Sequence, residues 1–289
     1  MNLNDIKTIG ILGAGTMGAG IGISCIMAGY KVILFDISDE VLGKAGESVI
    51  KNINKAIEKG KLDPEEKNAT LDRMDFTKDF ADLAKSDFVI EAVPEKMELK
   101  KDLFKKLDGT CNPNIILASN TSSLSVTTIS TAVENNRDRV VGMHFFNPAN
   151  IMKLVEVIRG DFTSDEAVDI TYQLSKKIGK VPVLAKDTPA FIVNRIARPF
   201  YGESLKMLAE GTASFETIDK VMKTCGGFAM GPFQLMDLIG IDVNFSVTKS
   251  VYEAYFNDPR YRPSYIQRKM VDANLLGRKT KRGFYSYEQ

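Results

Sequence analysis

Residues 13–18 read Gly-Ala-Gly-Thr-Met-Gly and decide the fold of the first part of the chain. The stretch directly follows the apolar run 8–12 and precedes a helical pattern. Gly13 permits a tight turn, Gly15 lets the backbone approach a pyrophosphate at the helix amino terminus, and Gly18 allows close helix–strand packing. The spacing therefore predicts a strand, a dinucleotide-binding turn and a helix.

The residues around this turn also predict which dinucleotide binds. Asp36 follows the next apolar run, 31–35. A carboxylate there accepts hydrogen bonds from ribose hydroxyls and repels a 2′-phosphate, so we expect NAD rather than NADP. Thr16 and Met17 open the helix on which the pyrophosphate would lie, and we include them in the cofactor site. This element alone leaves FAD open.

The fold class follows from the alternation of short β-branched runs with amphipathic helical stretches. Such alternation predicts an α/β fold with a doubly wound, mostly parallel Rossmann-type sheet. After Asp187-Thr188-Pro189 the strand-like runs give way to helical segments. We therefore predict an NAD-binding Rossmann-type domain over 1–187 and an all-helical carboxy-terminal domain over 188–289. The runs that read as strands are 8–12, 31–35, 88–92, 115–119, 140–145, 154–158 and 182–185.

The composition excludes several classes of protein. The 289 residues carry 38 Lys and Arg against 37 Asp and Glu, and this net charge of +1 gives no global attraction to nucleic acid or to an anionic membrane. Residues 8–30 are uncharged but contain seven glycines, which argues against a membrane span. Three cysteines without paired spacing predict neither disulfides nor a zinc site, so we expect a soluble cytoplasmic protein without a metal.

His144 is the one histidine of the chain and the candidate base. An enzyme that oxidises an alcohol with NAD must remove the hydroxyl proton as hydride leaves, which needs a group titrating near neutrality. Glu156 lies 12 residues later in the next strand-like run. Two strands with a short connection bring imidazole and carboxylate together, which fixes the tautomer and stabilises the imidazolium. The alternative is a structural histidine at a strand end.

Seven motifs occur in order along the chain: Asn120-Thr121-Ser122-Ser123-Leu124, His144-Phe145-Phe146-Asn147-Pro148, Met152-Lys153-Leu154-Val155-Glu156-Val157, Asp187-Thr188-Pro189, Phe191-Ile192-Val193-Asn194-Arg195, Met230-Gly231-Pro232-Phe233 and Gly283-Phe284-Tyr285. Together they resemble the L-3-hydroxyacyl-CoA dehydrogenases over the whole chain, most closely the short branch that acts on 3-hydroxybutyryl-CoA. The resemblance implies an NAD-dependent oxidoreductase that interconverts (S)-3-hydroxyacyl-CoA, with four-carbon acyl groups, and 3-ketoacyl-CoA. It also implies a homodimer formed through the second domain.

Carried over by position, the resemblance implies a role for each matched residue. His144 takes the C3 hydroxyl proton, or returns it in reduction, while Glu156 orients it. Ser122 and Asn194 hold the substrate oxygen and its developing charge. Contacts with the cofactor are implied for Glu95, Lys100, Ser122, Asn147 and Lys279. The alternative for Glu95 and Lys100 is a pair of solvated charges at a helix start.

Lysines at every fourth position follow Asp36 in the sequence. Lys51, Lys55 and Lys59 would form a basic stripe on one helix face, suited to the phosphates of CoA. The family places a CoA-contacting lysine near Lys59, so we predict that Lys55 and Lys59 bind substrate. A solvated helix face is the alternative reading.

Four departures from the family, at Asn150, Ala190, Ala229 and Gln234, and two alternative functions remain. Ala190 stands where the family usually has glycine before Phe191, at the predicted start of the second domain. The alternative functions are a related dehydrogenase of a free hydroxy or sugar acid such as gulonate, and a non-catalytic NAD-binding protein. Lys153 favours the acyl-CoA branch, and the joint presence of Ser122, His144, Glu156 and Asn194 argues against a protein without catalysis.

Overall fold

The computed structural model describes residues 2–287. The chain forms two compact units, which divide between Thr188 and Pro189. The first unit contains all eight strands of the described residues together with helices, and the second is helical. This architecture confirms the predicted fold class.

The strands of the first unit form a single sheet in the order β3-β2-β1-β4-β5-β6-β7-β8. The first six in this order run parallel, β7 runs antiparallel to β6, and β8 is parallel to β7. The chain winds outward from β1 in both directions, which leaves a crevice at the carboxyl ends of β1 and β4. The strands are β1 Thr8–Leu12, β2 Lys31–Phe35, β3 Met74–Thr77, β4 Phe88–Glu91, β5 Ile116–Ser119, β6 Val140–Phe145, β7 Leu154–Arg159 and β8 Val181–Lys186.

Helices cover this sheet and bury its apolar strands. Ile9, Ile11, Val32 and Phe88 have no exposed surface, as expected for parallel strands covered on both faces. α1 is buried over most of its length, from Gly18 through Ile26. The helices of the first unit are α1 Thr16–Met27, α2 Asp39–Glu58, α3 Lys67–Leu71, α4 Met97–Thr110, α5 Val126–Ser130 and α6 Asp165–Lys177.

The second unit packs its helices around a separate apolar core. Tyr201, Leu205, Phe233, Met236 and Ile241 are buried together there. None of the helices within residues 2–287, in either unit, is long and apolar enough to cross a membrane. The helices of this unit are α7 Val193–Ala209, α8 Phe215–Thr224, α9 Pro232–Ile239, α10 Ile241–Ala254 and α11 Tyr265–Asp272.

Candidate active site

The candidate site lies at the carboxyl edge of the sheet in the first unit. β1, β4, β5 and β6 are parallel neighbours, so their carboxyl ends share one edge. The glycine-rich turn follows β1, Glu91 ends β4, Ser119 ends β5, and His144 is the penultimate residue of β6. Ligands of doubly wound folds bind at this edge because the strand topology opens a crevice there.

The glycine-rich turn has the geometry that a dinucleotide requires. Gly13 has a φ of 103°, and a Cβ there would lie 2.9 Å from the carbonyl oxygen of Ala92. A Cβ on Gly18 would collide with the carbonyl of Gly13 at 1.8 Å. Gly15 is exposed, and a Cβ on it would meet no atom within 4 Å. Packing therefore requires glycine at positions 13 and 18, and Gly15 leaves open space where a pyrophosphate would approach the start of α1.

Asp36 sits beside this turn, directly after β2. Its Oδ2 accepts a hydrogen bond from the Ala14 N–H at 2.9 Å, and its Oδ1 accepts one from the Ser38 N–H at 3.1 Å. A carboxylate oxygen accepts two hydrogen bonds, so both oxygens retain capacity for ribose hydroxyls. The backbone contacts hold the carboxylate at the position that the sequence predicts for a ribose ligand.

Glu95 anchors the turn that carries Ser122. Its Oε1 accepts hydrogen bonds from the Thr121 hydroxyl at 2.7 Å and from the N–H groups of Ser122 and Ser123 at 2.8 and 3.0 Å. Burial opposes ionisation of Glu95, but the charge of Lys100 and these hydrogen bonds outweigh it and lower the pKa of the carboxyl below its ordinary value. Two predicted site residues, Glu95 and Ser122, are thus brought together.

Lys100 belongs to α4, and its side chain is buried away from solvent. Its side chain is 0% exposed, and its Nζ lies 2.6 Å from Glu91 Oε1 and 3.4 Å from Glu95 Oε2. The contact of Lys100 with the cofactor stays a prediction. The described contacts connect Lys100 to the cofactor edge through Glu95.

His144 and Glu156 occupy opposite positions on the antiparallel strands β6 and β7. The His144 Nδ1 and a Glu156 carboxylate oxygen are 2.7 Å apart, and both residues are buried, at 3% and 0% exposed. The Phe146 ring packs against the imidazole, with the ring centroids 4.5 Å apart. A short contact on buried strands fixes the ring orientation and assigns Nδ1 to the carboxylate.

Sequence reasoning missed three polar residues that support this edge. The Asn120 side-chain oxygen accepts a hydrogen bond from the Phe145 N–H at 2.8 Å, which ties the end of β5 to the residue after His144. Glu91 and Ser119 are fully buried and hydrogen-bond to each other. A carboxylate that ends the apolar run Phe-Val-Ile-Glu was the available sequence signal for Glu91.

The remaining predicted site residues are described within their own units. Asn147 is exposed in the loop between β6 and β7. In the second unit, Asn194 lies in the first turn of α7, and its carbonyl accepts a hydrogen bond from the Arg198 Nε. Lys279 is partly exposed and its Nζ lies 2.5 Å from Asp242 Oδ2. Lys55 and Lys59 are exposed near the end of α2.

Comparison with known proteins places the chain. Residues 8–188 match the model of the 3-hydroxyacyl-CoA dehydrogenase NAD binding domain, and residues 191–287 match that of the 3-hydroxyacyl-CoA dehydrogenase C-terminal domain. The chain is 44% identical to 3-hydroxyadipyl-CoA dehydrogenase of Escherichia coli and 43% identical to 3-hydroxybutyryl-CoA dehydrogenase of Clostridioides difficile. These matches cover 98% and 97% of this chain, and 59% and 99% of the two relatives.

Solved structures agree with these sequence matches. The crystal structure of (S)-3-hydroxybutyryl-CoA dehydrogenase from Ralstonia eutropha superposes with a TM-score of 0.93 at 43% identity, covering 98% of this chain and 100% of that one. A Rossmann-type sheet with a dinucleotide-binding first turn is typical of dinucleotide-dependent enzymes, and the matching NAD binding domain confirms the predicted cofactor. The chain belongs to the 3-hydroxyacyl-CoA dehydrogenase family.

Proposed function

We propose that the protein interconverts (S)-3-hydroxyacyl-CoA and 3-ketoacyl-CoA with NAD, with 3-hydroxybutyryl-CoA and acetoacetyl-CoA as the preferred pair. The observation that carries the proposal is the buried contact of 2.7 Å between His144 and Glu156 at the carboxyl edge of the sheet. It supplies a proton-transfer group on the same edge as the dinucleotide turn. The names of the similar proteins from Clostridioides difficile and Ralstonia eutropha support the four-carbon substrate.

The proposed chemistry divides the work between cofactor and protein. NAD, when bound, accepts hydride from the substrate carbon or, when reduced, returns it. In oxidation the neutral His144 takes the hydroxyl proton, and because Nδ1 faces Glu156, we assign this step to Nε2. The Glu156 carboxylate holds the tautomer and stabilises the resulting imidazolium. In reduction the imidazolium donates the same proton, so no alkoxide is left unprotonated.

Other residues would position the substrate and the cofactor. We propose that Ser122 and Asn194 donate hydrogen bonds to the substrate oxygen, where negative charge develops. Ser122 is suited to this task because Glu95 fixes its backbone N–H. The proposed cofactor contacts are Gly13, Gly15, Thr16, Met17, Gly18, Asp36, Glu95, Ser122, Asn147 and Lys279, with Lys100 acting through Glu95.

A basic cavity in the first unit supports CoA as the carrier of the acyl group. It has a volume of about 540 Å³, and its charged lining residues among those described are all lysines. CoA carries several phosphate charges, which such a cavity would neutralise. We propose that Lys55 and Lys59 bind these phosphates at the end of α2. The six lysines that line the cavity are Lys55, Lys59, Lys61, Lys153, Lys177 and Lys180.

We further propose that the protein is a homodimer of the cytoplasm. Apolar side chains stay exposed on the second unit, and covering them against a second copy would stabilise the assembly. Ile196, Phe256 and Tyr265 are 69%, 95% and 79% exposed. All three cysteines are free thiols, which suits a reducing compartment. Light scattering at several protein concentrations would measure the assembly state.

The substrate assignment is tested by measuring the oxidation of NADH with acetoacetyl-CoA and with free acetoacetate. A third assay replaces NADH by NADPH. We expect efficient reduction of the thioester by NADH alone, since CoA contacts supply the binding energy that positions the reacting carbon. Equal activity on free acetoacetate would favour a free-acid dehydrogenase. NADH binding without turnover of any substrate would favour a non-catalytic NAD-binding protein.

Charge reversal on α2 tests the CoA cavity separately. We expect the double variant Lys55→Glu/Lys59→Glu to raise KM for acetoacetyl-CoA by about 10-fold, with NADH affinity unchanged. The matched control is Lys51→Glu, which reverses an exposed charge on the same helix outside the cavity lining. An equal rise in KM for the control would show a general effect of net charge.

A further inference from the structure

Glu91 forms a fully buried ion pair behind the cofactor edge. Glu91 and Lys100 are both 0% exposed, and the Lys100 Nζ lies 2.6 and 2.8 Å from the two carboxylate oxygens of Glu91. The same carboxylate accepts hydrogen bonds from the Val93 N–H at 2.8 Å and from the Ser119 hydroxyl at 2.6 Å. Glu91 is thereby fixed from three places: the loop that follows its own strand, β5 and α4.

Contacts continue from this pair to the turn that carries Ser122. Lys100 also lies 3.4 Å from Oε2 of Glu95, and the other oxygen of Glu95 accepts the hydrogen bonds of residues 121–123. The two carboxylates therefore share one ammonium group. A change at Glu91 would let Lys100 move toward Glu95 and draw the carboxylate away from the Ser122 N–H.

Stability alone gives little reason for such a pair. Removing two charges from water is costly, and a buried ion pair is often no more stabilising than apolar residues of the same volume. Breaking the pair by changing one partner is a different matter, since it leaves a buried charge alone. A role in fixing the carboxylate of Glu95, which faces the cofactor edge, accounts for a pair that contributes little net stability.

We propose that Glu91 is a positioning residue for cofactor binding, which rests on the proposed function. By holding Lys100, it sets the position of Glu95 and so of the backbone at Ser122. Ser119 supports Glu91 from β5 and has a smaller part in the same arrangement. Neither residue reaches the reacting atoms, because both side chains are completely buried.

The test compares Glu91→Gln with Ser119→Ala, in parallel measurements of NADH affinity, kcat and Tm. NADH fluorescence suits the binding measurement because the chain contains no tryptophan. For Glu91→Gln we expect NADH affinity to fall by about 10-fold or more, in line with the loss of a charged hydrogen-bond partner. For Ser119→Ala, which keeps both charges, we expect a loss of about 2- to 5-fold.

A second buried ion pair in the same unit supplies the matched control. Arg139 Nη2 and Asp108 Oδ1 are 2.6 Å apart, with side chains 5% and 6% exposed. Arg139 directly precedes β6, whereas His144 lies near the other end of that strand. We expect Asp108→Asn to lower Tm while NADH affinity and kcat stay within about 2-fold of the wild type, since the pair lies at the opposite edge of the sheet.

The double variant Glu91→Gln/Lys100→Met removes both charges and keeps the route testable. If Glu91 acts through Lys100, the double variant has the same NADH affinity as Lys100→Met alone. The inference is overturned if Glu91→Gln lowers Tm as Asp108→Asn does but leaves NADH affinity and kcat unchanged. It is equally overturned if Glu91→Gln fails to fold and Ser119→Ala binds NADH like the wild type. NADH binding needs no substrate, so failure of the substrate assignment would leave this result readable.

Discussion

The two units hold their buried acids in different ways. In the first unit each of three buried acids faces a basic partner, whereas in the second unit both buried acids are held by neutral groups. The pairs of the first unit are Glu91–Lys100, Asp108–Arg139 and Glu156–His144. The buried charges of the second unit are Arg198, Asp219 and Asp237, which form no ion pair with any described residue.

Asp237 shows how the second unit works. Its carboxylate accepts hydrogen bonds from the N–H groups of Phe284 and Tyr285, at 3.0 and 2.9 Å, and from the Tyr287 hydroxyl at 3.0 Å. A Cβ on Gly283 would lie 2.1 Å from the same carboxylate. The acid therefore fastens the end of the described chain to α9. Burial raises the pKa of Asp237 because no positive charge compensates for lost solvation.

The contrast teaches where a neutral substitution will be felt. In the first unit, replacing an acid by its amide leaves a buried cation or an unoriented imidazole. In the second unit the same change leaves only N–H and O–H donors, for which an amide oxygen is an adequate acceptor.

The largest effect is expected at the His144–Glu156 pair of the candidate site. His144→Gln should lower kcat by a factor of about 100 to 10,000, the usual loss on removing a general acid or base. NADH affinity and Tm should stay near the wild-type values, because glutamine can still donate a hydrogen bond to Glu156. The measurements are steady-state reduction of acetoacetyl-CoA, NADH fluorescence and thermal unfolding. Retention of most of the turnover would remove His144 from the proposed mechanism.

The next effect is a difference in stability between matched amide substitutions. Asp108→Asn leaves Arg139 without its carboxylate, and we expect it to cost about 3 kcal/mol of unfolding free energy. Asp237→Asn keeps an acceptor for its neutral donors, and we expect a cost of about 1 kcal/mol. Denaturant unfolding of both variants at neutral pH compares them. Equal costs would mean that the nature of the partner does not decide the outcome.

How far the sequence led can be judged from particular elements. The glycine turn, the alternation of strands and helices, and the loss of strands after Pro189 predicted the fold, because local pattern determines them. β3 was missed because Asp75 and Phe76, two of its four residues, are exposed. Such an edge strand lacks the continuous apolar run of the central strands.

The candidate site was only partly predictable for a similar physical reason. The sequence predicted that two strands with a short connection bring His144 and Glu156 together, and the strand register places the two residues opposite each other. The partner of Lys100 depends on how α4 packs against β4, which no local pattern encodes. The sequence therefore predicted a cofactor contact for Lys100 but not the buried ion pair of its ammonium group with Glu91.

A smaller effect is expected in the pH dependence of stability, with opposite signs in the two units. Burial raises the pKa of Asp108. Hydrogen bonds from the N–H groups of residues 134 and 135 and from Arg139 outweigh this effect, so the pKa lies below 3.8. Its contribution is present above 3.8 and is lost as pH falls through the lowered pKa. The pKa of Asp237 is raised above 3.8, so its contribution is complete below 3.8 and is lost as pH rises through the raised value.

Thermal unfolding across the acidic range would resolve these signs. The advantage of the wild type over Asp108→Asn should shrink on acidification, whereas the wild type should gain relative to Asp237→Asn. Slopes of the same sign would show that the two carboxylates have similar environments after all.

The smallest effect is expected at the start of the second unit, where no buried charge is involved. Ala190 has a φ of 65°, a conformation that costs alanine about 1 to 2 kcal/mol but not glycine. Ala190→Gly would relieve this strain. It would also lose the burial of one methyl group, which costs about 0.8 kcal/mol, and raise the entropy of the unfolded chain, which costs about 0.4 to 1 kcal/mol. These terms nearly cancel, so we expect a change in unfolding free energy within about 0.5 kcal/mol of zero. The matched control is Ala209→Gly at the exposed end of α7, which has no strain to relieve and should lose about 0.5 to 1 kcal/mol. Because the control loses no buried methyl group, a larger loss at Ala190 than at Ala209 would show that the strain at Ala190 contributes little.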